Sequence, residues 1–301
     1  MAVALLAPLA GSAVADGLAL KAHKRDVDAV SVSPDSKLVA SSGDDGMVVV
    51  WTGNAATATR DGDGTAIESV TFTPDSKLVV LGSMYGQLTL WDPATGKDVF
   101  STKPADGRIV HLAYTPDGKS MYLEAWDHDL KLVDAATGAV KATLSSHKYT
   151  PRGLALSADG KALYSCDEGG NVVAWSTKTN KPGPSYQPST QQCHALALSP
   201  DGKTLAAGFA DGAVVLLDAA SGKELRRSKV ADSVNALAFF SDGKTLVAGT
   251  QNEALQVIGP DGTVASRAGH GRPITTVAVA ADGSRAISGS MDMTVRVWPL
   301  K

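Results

Sequence analysis

The chain is short of several residues that would announce a function. Only two of its 301 residues are cysteines, Cys166 and Cys193, so a disulfide framework and a four-ligand Cys or Cys/His zinc site are both excluded. Neither a CxxC nor a CxxCH motif occurs. No block of Lys and Arg is present, and 28 basic against 31 acidic residues leave a formal net charge of −3, so nucleic acid has no electrostatic case. No glycine-rich phosphate loop or dinucleotide fingerprint follows a strand-like run. The apolar run at the N-terminus is too short to span a bilayer as a helix.

That N-terminus, "MAVALLAPLAGSAVADG", carries an apolar run, then small residues, with Ala13-Val14-Ala15 in an A-x-A pattern before Asp16. It reads as the second half of a secretory signal without the basic beginning. Two expectations stand: residues 1–16 are a trimmed signal peptide and the protein is periplasmic or secreted, or they are an Ala-rich leader and it is cytoplasmic.

The chain does have ordinary core-forming power, with 44% hydrophobic and 20% charged residues. It also has a repeat. Aligning on a recurring aspartate (Asp35, Asp75, Asp117, Asp159, Asp201, Asp242, Asp282) gives seven ungapped segments spaced by 40, 42, 42, 42, 41 and 40 residues. The first is "AVSVSPDSKLVASSGDDGMVVVW" from Ala29 and the last "TVAVAADGSRAISGSMDMTVRVW" from Thr276. A period near 41 residues fits one propeller blade of four short strands. Each unit starts with large apolar residues two apart around a small one, as in Val30-Ser31-Val32, which marks a narrow innermost strand. Pro-Asp-Gly or Pro-Asp-Ser then supplies turn chemistry, and "VVVW", "LTLW" and "VRVW" alternate again as a third strand. The last unit ends one strand short, while "GLALKAH" from Gly17 reads as an isolated outer strand. Pairing the two removes an open sheet edge. The fold class is therefore all-β: residues 17–301 form a single seven-bladed propeller of four-stranded antiparallel blades, with an N-terminal strand completing the last blade. In unit four, "TKTNKPGPSYQPST" has three prolines and no strand pattern, so a broken or absent outer strand is expected there.

These repeats resemble the WD-repeat β-propeller family over nearly the whole chain. The resemblance implies a structural lock in each blade made of a His, a Ser or Thr, an Asp and a Trp. Unit one has His23, Ser41, Asp45 and Trp51 in register, and unit seven has His270, Ser288, Asp292 and Trp298. Unit four keeps His147, Ser165 and Trp175, but Gly169 stands at the Asp position. Unit two keeps only Trp91, unit three only Asp127 and unit five only Asp211; unit six has Asn252 and Ile258 at the Asp and Trp positions.

Recurrence of His, Ser and Asp at the blade period points to structure rather than to a hydrolytic triad, which is a single site. Of the seven positions that begin the segments, facing the channel, only His111 is a good metal ligand, and one ligand is not a site. No catalytic residue, cofactor or metal is expected. The family's usual mode, carried over by resemblance, is binding of a protein or peptide on the rim where inner strands begin. Two sets of positions lie there. The residue before each lock Asp gives Asp44, Met84, Trp126 and Glu168 in the first four units; the residue seven before each anchor gives Asp28, Glu68, Val110, Arg152 and His194 in the first five. Arg108 is expected close by. Met84, Trp126, Arg108 and Arg152 have a hot-spot composition, and Asp28, Asp44 and Glu68 make the other side acidic, suited to a basic partner segment. Two other readings remain open: an exported propeller enzyme with an unrecognised channel site, and a module that docks in a larger complex by its side.

Overall fold

The computed structural model describes residues 17–62 and 64–299. The leader expectation for residues 1–16 lies outside these described residues. Seven four-stranded antiparallel sheets follow one another around a ring. Six are built from consecutive strands, the first being Val27–Val32, Leu38–Gly43, Val48–Thr52 and Ala55–Arg60. The seventh consists of Ile274–Val279, Arg285–Ser290 and Thr294–Pro299, completed by Leu18–Lys21 from the other end of the chain. Leu18 pairs with Val297 and Lys21 with Thr294, which covers the edge that the short last unit leaves open.

The recurring aspartate is legible because each one organises the same turn. Asp35 accepts the Ser33 hydroxyl at 2.6 Å and the Lys37 amide at 3.2 Å, and Asp75, Asp117, Asp159 and Asp201 repeat the arrangement. These hydrogen bonds, the Ser33 hydroxyl's first, hold the Asp35 carboxyl below its usual range.

The core lies between blades, not within them. Seven buried apolar clusters occupy the seven joints of the ring among the described residues. The residue sixteen after each anchor belongs to the cluster shared with the preceding blade: Trp51, Trp91, Trp175 and Trp298, but also Val133, Leu217 and Ile258. Loss of the framework Trp in units three, five and six therefore removes an indole N–H while retaining an apolar plug.

One expectation is corrected. Unit four does have an outer strand, Lys181–Tyr186, which pairs Ser176 with Lys181 and Val172 with Tyr186 around a register shift. Prolines survive there because an edge strand needs only half of its ladder donors. The two cysteines, whose proximity the sequence could not give, form a disulfide with Cα atoms 5.9 Å apart. It joins Ala162–Asp167 of blade four to Cys193–Leu198 of blade five.

Candidate functional site: the bulged rim

Every innermost strand carries one extra residue relative to its partner. In blade one Val27 pairs with Gly43 and Ala29 with Ser42, so Asp28 is left unpaired between them. The same shift isolates Glu68, Val110, Arg152, His194, Asn235 and Thr275 in the other six blades. A bulge bends the strand and re-aims the extra side chain, and bulges concentrate at barrel rims and next to sites. Beside each bulge one backbone bond recurs. The amide of the residue before the lock-Asp position donates to the carbonyl two residues before the bulge, at 2.9–3.1 Å in all seven blades, as in Asp44 N–H to Asp26 O and Trp126 N–H to Arg108 O. One backbone frame thus presents two rings of unlike side chains.

The side chains on this frame divide into two halves. In blades two to four a continuous stack runs across the rim. Arg108 pairs with Glu68 at 2.9 Å, and Arg152 pairs with Glu168 at 2.8 Å. Both guanidinium groups lie over the Trp126 ring, 4.7 and 4.5 Å from its centroid. The Trp126 indole N–H is buried without an acceptor. Trp126 and the two arginines therefore come together, but the ring is a platform already occupied by its own chain's cations. Met84 holds the equivalent backbone place in blade two.

The other half is acidic. Burial first, then the charges of Glu68, Asp44 and Asp26, push the Asp28 carboxyl up to about 8. Burial also raises Glu68, against the pull of Arg108. On the far side, burial and then the Arg152 charge lower His194, opposed by Glu168. The mouth opens into a channel cavity of about 560 Å³ lined by Asp28, Glu68, His111, Arg152, His194 and Asn235, among others. On its wall His111 Nδ1 lies 2.7 Å from an oxygen of the fully buried Glu124, whose other oxygen accepts the Gly153 amide at 3.0 Å. Among the described residues no group of three or more His, Cys, Asp or Glu could hold a metal ion.

Behind the rim, the lock residues form a hydrogen-bond relay whose direction follows from the carboxylate at its end. In blade seven Trp298 Nε1 donates to Ser288 Oγ at 2.8 Å, and Ser288 Oγ lies 2.7 Å from His270 Nε2. The Asp292 carboxylate can only accept, so Nδ1 carries the proton and donates to it at 2.9 Å; Nε2 of the neutral imidazole then accepts the Ser288 hydroxyl, whose oxygen takes the indole N–H. The neutral imidazole satisfies the whole set. Burial lowers His270 accordingly, against Asp292. Asp292 itself is held down to about 2: burial raises it, but the Thr294 hydroxyl, the Gly271 amide and His270 outweigh that. Blade one repeats the relay, with Trp51 donating to Ser41 at 2.9 Å, Ser41 2.8 Å from His23 and both Asp45 oxygens 3.2 Å from it.

Blade four corrects the sequence reading. Its relay is complete, because Asp167, two residues before Gly169, accepts from His147 Nδ1 at 2.8 Å. Ser165 and Trp175 fill their places. Asp167 comes from the end of a strand instead of the turn, and it also accepts the Gly169 and Asn171 amides. The Tyr149 ring occupies the space at Gly169, where a Cβ would come within 2.4 Å of it. Nothing in a single sequence reports that overlap. Blade three uses its Asp127 differently, pairing it with the buried Lys131.

A family model described as outer membrane protein assembly factor BamB matches residues 35–296. A second, described as WD domain, G-beta repeat, matches residues 17–52, which hold the closing strand and the inner three strands of blade one. No curated protein matches the chain.

Proposed function

The chain belongs to the β-propeller family that the BamB and WD-repeat models describe, and from that premise we propose that it is a non-catalytic scaffold binding a protein or peptide partner on its bulged rim. One observation carries the reading: seven bulges at one position, beside one repeated backbone bond, place seven different, part-buried side chains at the mouth of the channel. Structure alone needs no such variety on a fixed frame, whereas recognition does. The partner segment meets Asp44 and the protonated Asp28 with hydrogen-bond donors, and the aromatic-arginine ridge that Glu68 helps to hold lies beside them. The non-catalytic half rests on the serines of the three relays, which are fully buried and each take an indole N–H, a poor setting for a nucleophile.

Replacing Trp126 and Arg152 together by Ala and capturing partners from the native compartment tests the binding role. Partners held by the wild type are lost from the variant on this reading, and capture at full strength contradicts it. A second reading, docking within an assembly by the side of the ring, has the family model's description as an assembly factor behind it. Capture lost only on substituting the exposed outer-strand residues Val99 and Val264 would favour that role.

A further inference from the structure

Five of the seven joints of the ring share one contact site. It lies between the residue seven after an anchor Asp and the residue eight before the next anchor. In four joints the first is glycine and the second a β-branched aliphatic: Gly82 with Ile109, Gly208 with Val234, Gly249 with Ile274 and Gly289 with Val27. A Cβ on those glycines would come within 2.4–2.7 Å of the aliphatic side chain, so the branch fills the hole the glycine leaves. At the joint between blades four and five the same two positions are Cys166 and Cys193. Both are fully buried.

This joint is built for bonded sulfurs. A Cβ on Gly153 would meet Cys166 Sγ at 3.0 Å and the Leu196 amide nitrogen at 3.0 Å, so there is little slack on that side. Two unbonded thiols stand farther apart than two bonded sulfurs, and a dithiol in the same site is overpacked. The joint is also tied farther out, by Tyr164 Oη to Ala219 O at 2.9 Å, Tyr186 Oη to Ala220 O at 3.1 Å and Arg227 Nη2 to Pro188 O at 2.9 Å. Chain neighbours connect the sulfurs to the rim. Asp167 and Glu168 follow Cys166 directly, the one closing the blade-four relay and the other holding Arg152. His194, the bulged residue of blade five, follows Cys193.

We propose that Cys166–Cys193 is a maturation cross-link, formed by oxidation as blades four and five dock, which sets the spacing of the rim that carries Arg152, Glu168 and His194. The two thiols give up two protons and two electrons to a disulfide-bearing oxidant, whose own disulfide becomes a dithiol. Exchange needs access to a sulfur, and the closed joint gives none, so the oxidant acts on the folding chain. Completion of the fold therefore belongs to a disulfide-permitting compartment. The rim part rests on the proposed binding role; the cross-link part does not.

The test compares wild type with Cys166→Gly/Cys193→Val, which installs the pairing of the joint between blades five and six. Thiols are titrated in denaturant without reductant, and melting is measured after refolding with and without reductant. The expected result is no free thiol in protein matured under oxidising conditions and a melting temperature about 5–10 °C lower for the reduced wild type. The Gly/Val variant should fold and melt alike with or without reductant. A reduced wild type that fails to refold while the variant folds counts with the proposal. Two free thiols after oxidising maturation, or identical melting of both forms, overturns it. Hydrogen exchange of amides 152–156 and 193–198 reads the rim directly. Faster exchange there on reduction is expected, and unchanged exchange alongside a lowered melting temperature overturns the rim-spacing part alone. Partner capture is not among these readouts, so a failure of the binding reading stays separate.

Discussion

Blades one and three place an aspartate at the same turn and use it in opposite ways. Asp45 ends a relay that starts at the Trp51 indole and runs through Ser41 and His23, and every member is satisfied with the imidazole neutral. Asp127 has no such relay behind it, because Val133, Leu123 and Ala105 stand where the Trp, Ser and His would be. It meets an ammonium instead, Lys131, whose side chain is only 10% exposed. One carboxylate closes a chain of neutral donors and the other balances a buried charge. The carboxylate sets the direction of the relay by taking Nδ1–H, and the indole N–H fills the serine oxygen; where Trp, Ser and His are missing, the aspartate meets a cation instead.

The contrast continues at the rim. Blade one presents Asp28, which has no cation in hydrogen-bonding reach and has one oxygen buried without a partner. Blade three presents Trp126 under Arg108 and Arg152, each held by its own glutamate. The blade with the intact relay has the electrostatically strained mouth, and the blade without it has the braced one.

Much of this was legible in the sequence, and the reasons for the rest are physical. The ring, its number of blades and its closure follow from a ~41-residue period and from a last unit lacking one strand, since both are local patterns. The relays of blades one and seven follow from residue identity at fixed register. Asp167 was missed because its role depends on Tyr149 filling the turn, a contact between segments. The bulges left no glycine signature at the bulged position, so nothing local marked them. The disulfide and the Glu124–His111 pair occupy a contact between neighbouring blades, or the wall beside it, where one residue type substitutes for another without disturbing the repeat. Trp126 stands beside the bulge at the backbone place its register gives, but two arginines over its ring are visible only in three dimensions.

The sharpest way to break the comparison is to remove each aspartate in turn. Asp127→Ala strands a buried ammonium and should cost about 3 kcal/mol, whereas Asp127→Ala combined with Lys131→Met should recover most of that loss in urea melts. Should the single variant melt as wild type, the ion-pair account of blade three is wrong. Asp45→Ala, Asp292→Ala and Asp167→Ala leave a neutral donor without its acceptor, and each should cost about 1–3 kcal/mol. Asp167→Ala must fall in this group; a loss near zero would return the blade-four relay to an incomplete one.

The relay of blade seven also has a signature in pH. His270 titrates lower in the folded protein than unfolded, so its contribution is present above about pH 6.5 and is lost as pH falls below that. Asp292 is depressed to about 2, so its contribution is present above the unfolded value and is lost as pH falls towards 2. Asp28 runs the other way. With a folded value of about 8, the native state holds a proton that the unfolded chain has already released, so stability falls as pH rises from about 4 to 8. Asp28→Asn should remove that slope and gain roughly 1–3 kcal/mol at pH 9 relative to pH 5, read by melting at both values. The smallest effect belongs to blade three. Trp126→Phe discards an indole N–H that has no acceptor and keeps a ring beneath the arginines, so stability should change by less than about 0.5 kcal/mol.

The central claim is that the bulged rim, not the outer wall, meets the partner. Site-specific photo-crosslinking in the native compartment tests it, with the probe at Met84 and at Ala210, whose amide makes the same backbone bond in blade five, on the rim and at Val99 and Val264 on outer strands. Adducts to one protein from the two rim positions, with none from the outer pair, are the predicted result. Adducts from the outer positions alone would contradict it.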